Sequence, residues 1–375
     1  MYFIPSKLTI WCKVMSQSNK LDFIQAARGF AAITVVACHF RDLFKETEYE
    51  LFAEKWLTPG AFGVDLFFII SGFIIAYSGV KYSRRDSFKF LSKRFLRIWP
   101  PYAFWTIIFS LIISGGDLGH INLSDLYKSL SFIPLNLDAP IYFGSAILYP
   151  GWTLNYEAYF YLTFSLCMIF GSYRYIVLLG FFIFTVMILP SLLGLNDPKP
   201  ALLGAGYLNL TMQRILLEFA FGVLCALVYI KKIIIFTSNL INKLLFYIAL
   251  IIPIIAYIFG IKTNDHGPTN FGMFYMISFF ILILCSDWIE KNTKFPKWLI
   301  FSGNISFSIY LTHIIVIHLI SILYQPLNFD ALTKAILIII SSIPVIFFIS
   351  YLSYVILEKK LHDLFMNNVK KKAVA

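Results

Sequence analysis

The chain has 375 residues, of which 59% are hydrophobic and 14% are charged, and its formal net charge is +11. Soluble domains carry about 25% charged residues, so this composition excludes an ordinary soluble domain. The positive charge alone would suggest nucleic acid as a partner. However, the lysines and arginines cluster in alternate loops between apolar segments, which argues against nucleic acid and is typical of a membrane-spanning protein.

Apolar runs of about 20 residues recur along the chain, and a helix of about 20 residues spans the hydrocarbon core of a bilayer. These runs predict an all-α fold, a polytopic helical membrane protein with about ten transmembrane helices. The predicted spans are residues 22–43, 61–79, 99–114, 145–170, 175–193, 210–230, 244–260, 271–286, 299–322 and 332–357.

Basic residues set the predicted orientation. Residues 80–98 are rich in lysine and arginine, and so are the segments that follow the sixth, eighth and tenth spans. These segments share one side of the membrane with the N-terminus, so the positive-inside rule places both termini in the cytoplasm. We therefore expect a cytoplasmic N-terminal segment at 1–20, a membrane domain at 21–358 and a basic cytoplasmic tail at 359–375. Either Met1 or Met15 could begin the protein.

The first span carries two ionisable residues, Arg28 and His39, in an otherwise apolar run. Eleven helical residues return to within about 20° of the starting face and rise about 16 Å, so both side chains belong to one stripe. An ionisable group inside a membrane is costly and usually faces a cavity, and histidine is the most frequent general base. The alternative is that Arg28 reaches the lipid headgroups and His39 caps a helix end.

The second span places Asp65 inside the apolar stretch PGAFGVDLFFIISGF. A buried aspartate needs a partner, and His39 and Arg28 are the candidates. A purely structural ion pair is the alternative. In the basic segment that follows, Arg94 and Arg97 lie three residues apart, so they share a face if the segment is helical. We assign Arg84 and Arg85 to membrane topology.

The fourth span carries Trp152 and Glu157. A membrane-embedded glutamate among aromatic residues indicates a proton-handling group. Tyr149 is expected to belong to the aromatic belt at the membrane interface. Further along, Arg214 and Glu218 have the i, i+4 spacing of a structural helix pair.

The ninth span contains Tyr310 and His313 in mid-segment. His313 is either a second site residue or a histidine satisfied within the core. Four histidines match no motif and receive no role: His120, His266, His318 and His362. Five scattered cysteines contain no CxxC, so we predict neither a disulfide framework nor a metal site.

Together these segments resemble the acyltransferase-3 family of integral membrane O-acyltransferases. The family's opening LDxLRG–AA–VV–H reads LDFIQAARGFAAITVVACH here, with one extra residue between Asp22 and Arg28. GVDxFFxISGF reads GVDLFFIISGF, RxLRIxPxY reads KRFLRIWPPY, and WTLxxExxFY reads GWTLNYEAYFY. RILLEFAFG and GNISFSIYLTH also fit, in family order. The match is most similar to the exopolysaccharide O-acyltransferase branch, and we expect a stand-alone enzyme without the SGNH domain that some members carry.

The resemblance implies transfer of an acyl group, commonly acetyl, from cytoplasmic acyl-CoA to a hydroxyl of an extracytoplasmic glycan that is sometimes lipid-linked. It implies a multi-pass enzyme of the bacterial inner membrane, surrounded by lipid and without a metal. In this scheme His39, Asp65 and Glu157 are the catalytic candidates. Arg94 and Arg97 would hold the donor's phosphates, because a guanidinium group can donate two hydrogen bonds at once, and Arg28 would line the donor's route or hold a phosphate. The acceptor-binding candidates are Trp152, Tyr310 and His313. Trp152 could stack on a sugar ring, and Glu157 would bind the acceptor or handle a proton.

Two other functions stay open at this point. A transporter or flippase of acyl or glycan intermediates would use the same buried charges as gates or proton relays. A non-catalytic scaffold would have little use for Arg28, Asp65 and Glu157 in apolar spans. Succinyl is an alternative to acetyl, and His39 could act either as a general base or as a covalent acyl carrier.

Overall fold

The structure is a computed structural model that describes residues 21–45, 47–135, 145–194, 206–234, 236–259, 266–268, 271–361 and 363–364. Within these ranges the regular structure is helical and contains no strand, which confirms the all-α prediction. The helices are α1 (Asp22–His39), α2 (Glu50–Leu57), α3 (Gly63–Gly79), α4 (Ser87–Ile113), α5 (Leu123–Leu130), α6 (Gly151–Cys167), α7 (Arg174–Ile183), α8 (Leu189–Leu192), α9 (Gly206–Thr211), α10 (Leu216–Lys231), α11 (Asn239–Ile258), α12 (Phe271–Leu284), α13 (Ser286–Asn292), α14 (Lys297–Asn304), α15 (Ser306–Tyr324) and α16 (Ala331–Ser353).

Seven helical stretches in the described part of the chain are long and apolar enough to cross a membrane. They become eight if α12 and α13, which are bent by 70° relative to each other, form one span. One of the seven, Gly151–Leu192, contains a sharp turn at Gly171, where φ is 61° and ψ is −118°. α10 has 16 residues, fewer than the about 20 that a span needs. The predicted count of about ten spans therefore stays a prediction.

α3 is the central helix of the bundle, and Ile69, Phe73 and other residues around its circumference are buried. It packs most closely against α10, where Gly72 faces the carbonyl oxygen of Phe219 and Gly222 faces that of Ile69. Small residues let two membrane helices approach to backbone contact, which strengthens their van der Waals packing. The apolar sequence of α3 is thus matched by protein contacts around the helix.

α1 packs between α3 and α14. The contact with α14 is again made by glycine, because a Cβ atom at Gly303 would meet the carbonyl oxygen of Gln25. On the other side, Gly63 at the start of α3 faces Ala31. Both neighbours hold α1 tightly, so the stripe that carries Arg28 and His39 has a fixed direction in the bundle.

α4 is longer than the sequence predicts. The third span was expected at 99–114, but the helix begins at Ser87 and continues through Pro100 and Pro101. A capping box formed by Ser83 and Asp86 starts the preceding 3-10 turn. The basic segment is therefore part of the helix, which confirms that Arg94 and Arg97, at i and i+3, can share one face.

The basic segments meet at one end of the bundle, where α1 begins and α3 ends. There the Nζ atom of Lys232 lies 3.0 Å from Oδ2 of Asp287. We call this the basic end, and we call the opposite end, where α1 ends and α3 begins, the far end. That the basic end faces the cytoplasm stays a prediction, as do the domain boundaries. Residues 1–20, with Cys12, lie outside the described residues, as do His362 and residues 365–375 of the predicted tail.

Candidate functional site

A cavity lies inside the bundle between α1, α3, α4, α6 and α15. Apolar side chains of α3, such as Phe67, Phe68 and Ile74, form much of its wall. Three kinds of polar group interrupt this wall. One is a set of three guanidinium groups, and another is the carboxyl group of Glu157. The third is a set of hydroxyl groups, which belong to Ser71, Thr153, Tyr161, Ser306 and Tyr310. We call this space the central cavity.

The three arginines predicted to bind the donor all line the central cavity. Arg28 comes from α1, and Arg94 and Arg97 come from α4. Arg28 precedes His39 by eleven residues, which is about 16 Å along the helix axis, so the arginines mark the part of the cavity nearer the basic end. Arg94 is also held by α3, because its guanidinium group donates a hydrogen bond to Oγ of Ser78.

Two carboxyl groups lie within electrostatic range of these arginines. Glu157 lines the cavity, and Glu358 lies close enough to both Arg28 and Arg97 to interact with their charges. Ser308 donates a hydrogen bond of 2.6 Å to Oε1 of Glu358 and so fixes its position. Three guanidinium groups outnumber the two carboxyl groups, so this part of the cavity carries a net positive charge. Such a site attracts an anionic ligand.

Glu157 belongs to the arginine part of the cavity. Its Oε1 atom accepts hydrogen bonds from the hydroxyl of Tyr161 and, at 3.4 Å, from Ser71. Its charge also reaches Arg28 and Arg94. The structure therefore places Glu157 with the candidate donor-binding residues, where its contacts suit a residue that orients arginines.

His39 and His313 form a pair near the far end, although they come from α1 and α15. Their ring centroids are 5.0 Å apart, and the planes are tilted by 49°. Nδ1 of His313 lies 3.0 Å from the carbonyl oxygen of Ile309. A carbonyl oxygen only accepts, so Nδ1 carries the proton and Nε2 carries the lone pair. His313 is fully buried, and nothing in the described part of the chain hydrogen-bonds to Nε2. We call these two residues the imidazole pair.

Two further side chains surround His39. The ring of Tyr149 stands edge-on to the His39 ring at 5.8 Å, so this tyrosine, expected in the aromatic belt, also contacts the imidazole pair. Arg41 lies within electrostatic range of both His39 and Tyr149. It is anchored by a 3.3 Å hydrogen bond to Thr58 and an ion pair with Glu54.

Tyr310 lies between the central cavity and the imidazole pair. It lines the cavity, and its ring centroid is 5.9 Å from that of His313. Its hydroxyl group is 3.0 Å from Oγ1 of Thr153 on α6. The structure thus brings together the two predicted residues of the ninth span, Tyr310 and His313, with His39 from the first.

Asp65 has a different partner from either of those predicted. Its Oδ2 atom lies 2.6 Å from Nδ1 of His266, and its Oδ1 accepts a 2.9 Å hydrogen bond from the backbone N–H of Gly267. Both oxygens are therefore engaged away from His39 and Arg28. The prediction that Asp65 pairs with one of those two residues is wrong. The segment before α12 supplies the partner instead.

Glu218 lies beside Asp65, and a Cβ atom at Gly272 would meet a carboxyl oxygen of each. Glu218 is fully buried, and no ion pair with Arg214 is present among the described residues. The predicted i, i+4 pair fails because α10 begins at Leu216, so Arg214 precedes the helix. Asp65, Glu218 and His266 form a second buried polar cluster, which we call the acidic cluster.

Trp152, near the start of α6, packs beside the acidic cluster. Its ring packs against His266 at 5.5 Å and against Phe68 at 6.4 Å, and only 4% of the residue is exposed. The predicted stacking of Trp152 on a sugar would require this packing to open. In the conformation described here, Tyr149, which is 42% exposed, is the aromatic residue near His39 that a ligand can reach.

Sequence reasoning missed several residues of these sites. Glu358 follows the last predicted span, Arg41 lies near the end of the first, and the sequence predicts no role for either. His266 matches no motif, and Thr153 was read only as part of a motif. Their roles depend on contacts between distant segments, for which a single sequence carries no signal. Among the described residues, no group of three His, Cys, Asp or Glu side chains could hold a metal ion.

Comparison with known proteins adds to this geometry. The family model described as "Acyltransferase domain" matches residues 21–355. Acyltransferase MdmB of Streptomyces mycarofaciens is 32% identical over 158 residues, which is 39% of this chain and 39% of that protein. O-acetyltransferase OatA of Staphylococcus aureus is 24% identical over 342 residues, which is 83% of this chain and 53% of that protein.

A third relative is the exopolysaccharide production protein ExoZ of Rhizobium meliloti. It is 35% identical over 117 residues, which is 29% of this chain and 34% of that protein. The matched regions thus span about half, or less, of the length of these three relatives. No solved structure matches the chain.

Proposed function

The chain belongs to the acyltransferase-3 family of membrane acyltransferases, and from that premise we propose that it moves an acyl group from cytoplasmic acyl-CoA to a hydroxyl group of an extracytoplasmic glycan. Acetyl is the proposed group, since one relative is an O-acetyltransferase, and exopolysaccharide or O-antigen is the proposed acceptor class, since another serves exopolysaccharide production. The proposed location is the inner membrane of a bacterium, with both termini in the cytoplasm.

One observation carries this proposal: the central cavity runs from three arginines to the neighbourhood of two imidazoles. Arg28, Arg94 and Arg97 line one part of it, and Tyr310, which adjoins His313, lines another. Acyl-CoA is an elongated ligand with phosphates at one end and a thioester at the other. Guanidinium groups suit the phosphates, because they remain charged when buried and donate paired hydrogen bonds. The apolar wall suits the uncharged arm between the two ends.

The proposed reaction needs a base for the attacking hydroxyl. A sugar hydroxyl attacks the thioester carbon, a C–O bond forms, and the C–S bond breaks. The hydroxyl proton passes to an imidazole and from there to the departing sulfur, which leaves as the free thiol of CoA. General base catalysis of this kind contributes about 10²- to 10⁴-fold to rate. The imidazole pair is the candidate, with Arg41 and Tyr149 placed to contact the acceptor.

Within the pair, the two histidines take different roles. His313 is oriented by its own backbone, because Nδ1 donates to Ile309 and Nε2 presents a lone pair. His39 is half-buried beside the partly exposed Tyr149 and is the imidazole nearer to an incoming acceptor. We therefore assign proton abstraction to His39 and the placement and polarisation of the reacting groups to His313. Glu157 and Glu358 act through the arginines as positioning residues.

The test uses membranes that contain the full chain, radiolabelled acetyl-CoA and the surface glycan of the host. Wild-type protein should transfer label into the glycan, and His39→Ala should not. His318→Ala is the matched control, because His318 lies on α15 like His313 but is exposed and contacts only Phe109 among the described aromatic rings. It should leave transfer unchanged.

Each outcome has a distinct meaning. Transfer that survives His39→Ala would move the chemistry to His313 or Glu157. If acetyl-CoA gives no label, succinyl-CoA is tried next. Failure with both donors, in membranes where the protein is intact, would favour the alternative of a transporter or flippase. An acid quench of the wild-type reaction then distinguishes a free base from a covalent acyl-histidine, since only the second leaves labelled protein.

A further inference from the structure

The central cavity and the imidazole pair are adjacent but separate. Tyr310 and Thr153 line the cavity, whereas neither His39 nor His313 does. The Tyr310 ring stands 5.9 Å from that of His313 on one side and faces the cavity on the other. An acyl group that arrives through the cavity therefore meets Tyr310 before it can meet an imidazole.

The hydroxyl contact between Tyr310 and Thr153 closes the end of the cavity next to the imidazole pair. It joins α15 to α6 across the end of the cavity, with 3.0 Å between the two oxygens. Phe67 from α3 packs edge-on against the Tyr310 ring at 6.0 Å and lines the same part of the cavity. Three helices thus contribute one side chain each to the closure, and two of the three are bulky aromatic rings.

The contact between Tyr310 and Thr153 can break without leaving the hydroxyl donor of Thr153 unpaired. Oγ1 of Thr153 also lies 2.9 Å from the carbonyl oxygen of Pro150, one turn earlier in the chain. A hydroxyl group has one hydrogen, so Thr153 can keep its bond to Pro150 when Tyr310 moves away. Separation of the pair leaves the Thr153 donor satisfied, which avoids the penalty for an unpaired buried donor.

We propose that Tyr310, held by Thr153, is the specificity-determining residue that limits the size of the acyl group reaching the imidazole pair. This inference rests on the proposed acyl transfer. A short group such as acetyl passes the Tyr310 ring after a small displacement, whereas a longer chain needs space that the rings of Tyr310 and Phe67 occupy. In an apolar pocket, one additional methylene changes discrimination by about tenfold or more.

The experiment compares acetyl-, propionyl-, butyryl- and hexanoyl-CoA as donors for the full chain in membranes. The readout is the ratio of kcat/KM for butyryl-CoA to that for acetyl-CoA, which is insensitive to the amount of active protein. Wild type should prefer acetyl-CoA. Tyr310→Ala should raise the ratio by about tenfold or more, since two methylene groups gain space. Thr153→Val, which keeps the side-chain shape but removes the hydroxyl, should raise the ratio less.

Two further variants test whether the Tyr310 ring itself, and not the size of the cavity in general, sets the limit on acyl-chain length. Tyr310→Phe keeps the ring but loses the same hydroxyl contact, so it should raise the ratio no more than Thr153→Val does, whatever it does to the overall rate. Phe307→Ala enlarges the same cavity one turn nearer the arginines and should leave the ratio unchanged. If Tyr310→Ala does not accumulate in membranes, Tyr310→Leu tests the same point with a smaller cavity.

The outcomes separate this inference from the proposed function. A wild-type protein that uses hexanoyl-CoA as well as acetyl-CoA overturns the size limit, and so does an active Tyr310→Ala with an unchanged ratio. Both results leave acyl transfer intact. Failure of the wild type with every acyl-CoA overturns the proposed function, and the size limit falls with it. An equal shift from Phe307→Ala overturns the assignment to Tyr310.

Discussion

The imidazole ring of His313 lies 5.0 Å from that of His39, although the two residues belong to the last and the first parts of the bundle. His313 is fully buried and His39 is half-buried, and the backbone of α15 fixes the tautomer of His313. A buried nitrogen lone pair without a partner is costly to keep, and such costs are frequently found at functional sites. The predictions below start from this pair and from the polar groups that surround it.

The imidazole pair should be required as a unit. His39→Gln and His313→Gln should each reduce acyl transfer by about 10²- to 10⁴-fold, because general base catalysis contributes that much. The double variant should be little worse than the more damaged single variant, because residues that act together are not additive. Initial rates of label transfer measure this. Full activity of His313→Gln would remove His313 from the mechanism and leave His39 as a single base.

The three cavity arginines should control donor affinity. Arg28→Gln, Arg94→Gln and Arg97→Gln should each raise KM for acetyl-CoA by about 10- to 100-fold, since a hydrogen bond to a charged group contributes about 1.5–3 kcal/mol. Arg85→Gln is the matched control: it removes a charge from the same basic segment, but Arg85 is exposed and outside the cavity. Equal effects from Arg85→Gln and Arg94→Gln would indicate a general surface charge effect instead of a binding site.

The acidic cluster should contribute stability. Asp65→Ala removes the carboxylate that contacts His266 and the acceptor of the Gly267 N–H, and a buried N–H left unpaired costs about 1–3 kcal/mol. The variant should therefore unfold at a lower temperature in detergent. The double variant Asp65→Ala/His266→Ala should lose less than the sum of the two single losses, because contacting residues couple by about 0.5–3 kcal/mol. Strictly additive losses would show that the contact between Asp65 and His266 contributes nothing to the free energy of unfolding.

Glycine at position 303 should be needed for the packing of α1 on α14. Gly303→Ala inserts a methyl group against the carbonyl oxygen of Gln25, and overpacking of this kind costs about 1–3 kcal/mol. Gly180→Ala is the control, because Gly180 is exposed on α7 and nothing lies within 4 Å of its added Cβ. The control should be neutral or slightly stabilising, since alanine is the better helix former by about 0.5–1 kcal/mol. The measurement compares the melting temperatures of the two variants in detergent. Equal melting temperatures would argue against close contact between α1 and α14.

The sequence by itself determined the helical membrane fold, the family and the relations inside single helices. Helical periodicity places Arg28 and His39 on one stripe of α1 and Arg94 and Arg97 on one face of α4, because 3.6 residues per turn is a local property of the backbone. The length of α4 and the start of α10 were less predictable. Helix ends depend on caps and neighbouring contacts, and this is why the expected Arg214–Glu218 pair does not form.

Only the tertiary structure decided which residues of different helices contact one another. Asp65 has a clear need for a partner, but the choice of His266 over His39 depends on where the segment before α12 lies against α3. The meeting of His313 with His39, and the proximity of Glu358 to Arg28, likewise depend on helices far apart in the chain. Packing between such helices is set by the shapes of whole surfaces, including the glycines that permit backbone contact, and not by any single residue spacing.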